Sequence, residues 1–271
     1  MLTRLPGRHA GRLARVANRA TCMPMGAKSQ AAEVQKNPFG ESTEETTRPM
    51  SEQSTKVPQP DGKPHSHPVF ARVYERVAEI AERRGGAEHR QRLLAGLSGR
   101  VIEVGAGSGA NFAHYPNTVS EVVAVEPELY LRERAQQAAA QAAVSVSVLD
   151  GGADLLPGEE GSFDAGVAAL VLCTVPDQQS ALAELFRVIR SGGELRFYEH
   201  VVADRKWEAR YQRFADATFW PHVAGGCHLA RDTRTGIEQT GFQIEACERF
   251  PFSPAPFIPP DPHILGVARR P

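Results

Sequence analysis

The sequence predicts an α/β domain, with a mostly parallel sheet covered by helices on both faces and an antiparallel strand pair at its end. Three observations predict it. Short apolar runs alternate with helical patterns between about residues 100 and 200. A glycine-rich turn follows the first run, and the last two apolar runs lie too close together for a crossover helix.

The elements follow in order. Pro68 suits a first helical position, and Val69, Phe70, Val73, Val77 and Ile80 then form one apolar stripe that Gly85-Gly86 stops. A short helix follows over 87–96. VIEV at 101–104 is a strand entering the glycine turn, and EVVAVE at 121–126 precedes an Ala-rich helix over 128–142. VSVSVL at 144–149 leads to FDAGVAALVLC at 163–173, then to a helix over 177–190. A Ser191-Gly192-Gly193 turn opens the strand ELRFYEH at 194–200. FQIEACERF (242–250) and HILGVARR (263–270) form the antiparallel pair. The 12-residue loop between them carries Pro251, Pro254, Pro256, Pro259, Pro260 and Pro262, and is stiff enough to wall a pocket. No repeat of 20–50 residues is visible.

Composition narrows the classes. Lys plus Arg number 31 and Asp plus Glu 32, a net charge of -1, so no overall basic field invites nucleic acid. Cys22, Cys173, Cys227 and Cys247 are widely spaced without a CxxC pair, which points away from a disulfide framework or zinc module and towards a reducing, cytoplasmic setting. No apolar run is long enough to cross a membrane as a helix. Residues 31–64 offer almost nothing to bury, so 1–65 is expected to be a disordered extension ahead of a domain over 66–271. Its first 30 residues carry Arg4, Arg8, Arg12, Arg15 and Arg19 with no acid, and read as an unstructured leader in preference to an organelle-targeting peptide.

The turn itself has two readings. Gly105-x-Gly107-x-x-Ala110, with Glu126 about 20 residues on, satisfies a dinucleotide fingerprint and would suit a nicotinamide-dependent oxidoreductase. Three features favour an adenosyl amino acid. Glu103 stands two residues before Gly105, where a carboxylate indirectly orients an ammonium but repels a pyrophosphate. Gly109 adds a third glycine, and Glu126 ends its strand just before Pro127, well placed to accept ribose hydroxyls. The terminal antiparallel pair is foreign to ordinary dehydrogenases. A ligand-free tight turn and a non-catalytic module of the same fold are the remaining alternatives.

Together EVGAGSGANF, VVAVEP, the LLP…SFDAG segment and RSGGELRFYEH resemble the class I S-adenosylmethionine-dependent methyltransferases over 66–271. The resemblance implies a doubly wound, Rossmann-like, seven-stranded sheet with S-adenosyl-L-methionine across the C-terminal ends of strands one to four. It implies that Gly105, Gly107 and Gly109 line the methionine and ribose side and that Glu126 binds the ribose. The acid this family carries five residues before the proline of LLP is Gly152 here, so Asp154, then Asp150, are the adenine candidates.

LVLCTVPD (170–177), YEHVVAD (198–204), GGCHLARDT (225–233) and PHILGVA (262–268) further resemble bacterial relatives of the membrane-associated alkyl-thiol S-methyltransferases. Mammalian members of that family have an apolar N-terminal anchor, and this chain has a polar, basic leader, so no membrane attachment is carried over. The acceptor implied is a small, fairly apolar molecule, a thiol first, with oxygen, nitrogen or carbon as alternatives. Nucleic acid is not expected as a partner, since the folded part lacks a basic stripe and an Asn/Asp-Pro-Pro-Tyr motif.

Residues 201–236 hold Trp207, Tyr211, Phe214, Phe219 and Trp220 before Gly225-Gly226. They read either as an apolar lid over the acceptor or as a helix packed on the sheet through its aromatics. Phe112, His114 and Tyr115 are candidates to reach the same space. His200 and His228 are the candidate general bases, each also readable as a hydrogen-bonded structural histidine. Glu199 is read as orienting a neighbour or capping a helix. Cys173 and Cys227 are read as pocket-lining, His65-Ser66-His67 as too weak a signal for a metal, and no metal site is expected.

Overall fold

The computed structural model describes residues 68–271 except Phe257, with side chains from residue 75 onward. The expected 1–65 extension, its arginines, His65-Ser66-His67 and the side chains of Val69, Phe70 and Val73 lie outside the described residues.

Seven strands form one sheet: β1 Gly99–Val104, β2 Val119–Val125, β3 Val146–Leu149, β4 Phe163–Ala169, β5 Ile189–His200, β6 Gln243–Phe252 and β7 Asp261–Arg269. Their order is β3-β2-β1-β4-β5-β7-β6, parallel through β5, with β7 antiparallel to both its neighbours. The order reverses between β1 and β4, and such a switch point opens a crevice at the C-terminal strand ends. Helices α1 Pro68–Ala81, α2 Ala87–Leu94, α3 Leu129–Ala139, α4 Gln178–Val188, α5 Lys206–Thr218, α6 Trp220–Val223 and α7 Thr233–Thr240 complete the described part. None of them is long and apolar enough to cross a membrane.

Strand alternation sorts the core into two layers. Val101 of β1 joins Leu93, Leu94, Val122, Ala135 and Tyr198 on one face, while Ile102 and Val104 join Leu182, Leu185, Phe197 and Ile264 on the other. Both faces are therefore dry, which explains the near-continuous apolar runs. Helix α4 starts where Asp177 accepts the N–H groups of Gln179 and Ser180, and α3 starts where Glu128 accepts that of Leu131.

Most boundaries shift by a few residues from the sequence reading, and two of the differences turn on glycines. Gly85 (φ 119°) breaks helical geometry as the glycine pair foretold, yet the chain re-enters α2 at once with no loop between. The Ser191-Gly192-Gly193 turn lies inside β5 as a bulge: Phe163 pairs with Ile189, and the next register pair is Ala165 with Glu194. A Cβ on Gly193 would sit 2.7 Å from the Asp164 carbonyl oxygen, so the bulge needs glycine there.

Candidate active site

The glycine turn leaves β1 with Gly105, Gly107 and Gly109 all at positive φ (62°, 57° and 85°). Each has a different neighbour. A Cβ on Gly105 would meet Val171 Cγ2 at 2.2 Å, and one on Gly109 would meet Phe112 at 2.8 Å and Ala138 at 2.9 Å. A Cβ on Gly107 would meet nothing within 4 Å, so this glycine borders open space.

Glu126 holds the turn in place. Its Oε2 accepts the Gly107 N–H at 2.8 Å and its Oε1 accepts the Glu128 N–H at 3.0 Å. Burial raises its pKa against those two bonds. Each oxygen keeps a second lone pair, so the carboxylate can still accept from a ligand hydroxyl. Arg132 binds the Glu126 and Pro127 carbonyls and pairs with Asp150 at 2.9 Å, tying the ends of β2 and β3 together. Asp154 is exposed, and its Oδ1 would lie 2.4 Å from a Cβ on Gly152, so that glycine makes room for it.

Glu103 is enclosed beside the turn. It shares the face of Val101, is only 2 % exposed, and accepts from Asn111 Nδ2 (2.9 Å) and Tyr115 OH (2.6 Å). Arg90 donates to Asn111 Oδ1 at 2.8 Å and to Glu82 at 2.7 Å, closing a buried network beneath the turn. Burial, opposed by the Tyr115 and Asn111 bonds, raises the Glu103 pKa to about 7. The folded chain thus keeps a proton that the unfolded carboxyl, at 4.5, releases. The stability this contributes is complete below 4.5 and is lost as pH rises through 7. Glu103→Gln keeps the proton count fixed, so its melting temperature relative to wild type should climb between pH 4.5 and 7 and then level off. A constant difference across that window would show an ionised carboxylate instead.

At the far side of the switch point, β4 and β5 end in a second buried constellation. Leu170 adopts φ 59°, the one positive value at a non-glycine among the described residues, and turns the chain sharply after β4. Glu199, fully buried, accepts the N–H groups of Val171 (3.1 Å), Leu172 (3.0 Å) and Cys173 (3.2 Å), which fixes that turn. It therefore orients a neighbouring segment, one of the two roles foreseen. His200 is buried, with Nδ1 3.8 Å from Cys227 Sγ. His228 donates its backbone N–H to the Cys173 carbonyl (2.8 Å), and its half-exposed ring lies 4.0 Å from Asp216.

The aromatic segment corrects an expectation. Helix α5 buries Ala209, Gln212 and Ala215, and leaves Trp207, Tyr211, Phe214 and then Phe219 exposed, so it does not pack on the sheet through its aromatics. Trp220 alone of the five is half-buried, whereas Phe112 and Tyr115 are core residues. Two cavities of about 300 and 360 Å³ lie near the C-terminal end of β5 and include no residue of the glycine turn. Pro251, Pro260 and Pro262 wall the second, although Pro251 and Pro262 pair inside β6 and β7, so the connecting loop is 253–260 and shorter than the sequence reading.

Known proteins fix the family. A methyltransferase-domain family model matches residues 102–197. Human thiol S-methyltransferase TMT1B is 35% identical over 181 residues, covering 65% of this chain and 73% of that protein. The chain is a member of that family, within the class I S-adenosylmethionine-dependent methyltransferases. The phosphatidylethanolamine N-methyltransferase of Cereibacter sphaeroides is 26% identical over 193 residues, 69% of this chain and 87% of that protein. Among solved structures, geranyl diphosphate C-methyltransferase from Streptomyces coelicolor A3(2) shares the fold at TM-score 0.54 and 13% identity, over 68% of this chain and 77% of that one.

The methyltransferase fold, the S-adenosylmethionine cofactor and the antiparallel C-terminal pair are thus as the sequence led us to expect. The cradle also fits an adenosyl amino acid on its own terms. Gly107 presents bare backbone to open space beside a carboxylate with spare lone pairs. In this methyltransferase, sequence reasoning missed Arg90 and Asn111, which only their contacts reveal. It also missed a grouping of Cys173, His200 and Cys227, where no metal site was expected. One side-chain donor atom from each lies within 4.8 Å of the other two. The hydrogen bond with Cys227 and then burial push the Cys173 thiol well up.

Proposed function

We propose that this methyltransferase moves the S-adenosylmethionine methyl to the sulfur of a small, apolar thiol. The observation that carries the acceptor is the 35% identity to a thiol S-methyltransferase over 73% of that protein's length. The phosphatidylethanolamine N-methyltransferase likeness, at 26% identity, supports a nitrogen acceptor less strongly.

The residues divide the work. Gly107 keeps a side chain out of the donor cradle, Gly105 and Gly109 let the turn pack against Val171, Phe112 and Ala138, and Glu126 accepts the ribose hydroxyls with the lone pairs its backbone bonds leave free. Asp154 and Asp150 stay the adenine candidates, Asp150 held by Arg132. Glu103 serves the donor only through Asn111 and Tyr115, by bracing the turn. Bound S-adenosylmethionine supplies an electrophilic methyl on a sulfonium. The protein's task is then alignment, exclusion of water and removal of one acceptor proton. A thiol, with a pKa of about 8.5, needs little help to lose it. Burial first, then Arg231, lowers the His228 pKa, so its half-exposed ring is neutral at pH 7 and free to take that proton. At His200 burial lowers the pKa and the contacts with Cys173 help to raise it by more, and the ring lies buried. A reducing compartment belongs to the same reading, supported by unpaired Cys173, Cys227 and Cys247.

Incubation of the purified chain with labelled S-adenosylmethionine and a panel of small thiols, phenols and amines tests this by mass spectrometry. Label should appear on alkyl thiols at rates at least tenfold above any phenol or amine. Methylated phenol or amine without methylated thiol would move the function to oxygen or nitrogen transfer.

A further inference from the structure

We infer that Cys173, His200 and Cys227 are the three protein ligands of a zinc-class ion whose fourth position receives the acceptor sulfur. The donor chemistry selects the ion. Two sulfurs and one imidazole form a soft-to-borderline set that favours Zn²⁺, and three protein ligands with one open position is the pattern of catalytic zinc sites.

Geometry supports the same assignment. Tetrahedral bonds of about 2.3 Å to sulfur and 2.0 Å to nitrogen set donor atoms roughly 3.5–3.8 Å apart. Here the three donors lie within 4.8 Å of one another, and Cys227 Sγ is already 3.8 Å from His200 Nδ1.

The three segments are also bound to one another, as a preorganised site requires. Glu199 takes the Cys173 N–H, and the Cys173 carbonyl takes the N–H of His228, next to Cys227. Arg231 donates to the Leu172 carbonyl at 2.7 Å, holding the same turn from the other side. A divalent ion with two thiolates is neutral, so its burial costs little. A third thiolate would leave one negative charge beside the Arg231 guanidinium.

The role at the open position rests on the thiol reading above. The acceptor R–SH passes its proton to His228, as above, when its sulfur meets the ion, since a coordinating thiol is deprotonated. The thiolate lone pair then forms the S–CH₃ bond while the methyl–sulfonium bond breaks. That electron pair stays on the departing sulfur, giving the thioether and S-adenosylhomocysteine.

The test is cobalt titration of the full chain, purified under reductant and stripped with a chelator. One Co²⁺ per chain should bind with thiolate-to-cobalt charge transfer and tetrahedral visible bands, Zn²⁺ should displace it, and a small alkyl thiol should shift the bands. Cys227→Ser, and Cys173→Ser with it, should lose the spectrum while keeping S-adenosylhomocysteine binding, which controls for folding. A folded, reduced chain that takes up no cobalt would overturn the site. So would a double variant that still binds it, or a Cys173–Cys227 disulfide persisting under reductant. Bands that ignore added thiol would overturn the open position. Full-rate thiol methylation by the metal-free chain would overturn the ion's role and leave the thiol reading standing. Cobalt uptake by a chain that methylates only phenols would instead remove the thiol reading and that role with it.

Discussion

Gly107→Arg should reduce S-adenosylhomocysteine affinity by a factor of 100 or more while the protein melts within a few degrees of wild type. The expectation rests on how differently the three turn glycines are surrounded. At Gly107 a Cβ meets open space, so an arginine side chain enters the crevice without displacing the core. The residue must still adopt φ 57°, a left-handed conformation that costs a side-chain-bearing residue about 1–2 kcal/mol. At roughly 2–4 °C per kcal/mol for a domain of this size, that is a modest fall in melting temperature. Gly105→Val is the contrasting case, because its Cβ would start 2.2 Å from Val171 and the fold itself would give way. Calorimetry and thermal melts separate the two effects. Unchanged affinity in Gly107→Arg would remove this glycine from the donor cradle.

Glu199→Ala should be the most destabilising single change at the site. The carboxylate is fully buried and satisfies the consecutive N–H groups of Val171, Leu172 and Cys173. Truncation leaves those donors in a dry environment, where each buried donor left unsatisfied costs about 1–3 kcal/mol. The melting temperature should fall by about 10 °C or more. Glu199→Gln, which keeps one accepting oxygen, should recover part of that loss. A melting temperature unchanged in Glu199→Ala would show that the turn after β4 is held by other contacts.

Much of the fold was legible because its signals are local. Each parallel strand is an uninterrupted apolar run, and the short link before β7 admits only an antiparallel return. The place of Glu126 beside the turn was legible too, since it directly follows β2 and precedes a proline. The partners of Glu103 were harder, since Asn111 and Tyr115 lie beyond the turn and the fold brings them to it. Helix α5 misled for the opposite reason. Trp207, Tyr211 and Phe214 repeat at helical spacing as a core stripe does, but the buried side is the small-residue face of Ala209 and Ala215. The grouping of Cys173, His200 and Cys227 had no sequence signal at all. Its members stand after β4, at the end of β5 and after α6, each 27 residues from the next, and the fold alone makes them neighbours.

Strand β7 comes last in chain order yet occupies an interior position, with β5 on one flank and β6 on the other. During synthesis, β6 therefore emerges with no partner beside it and must wait for a strand that has not yet been made. The nascent domain passes through a stage in which the exposed edge of β5 and the whole of β6 seek hydrogen bonds, a hazard for intermolecular pairing. Closure is a single late insertion that joins segments some 60 to 75 residues apart, which slows the final step of maturation.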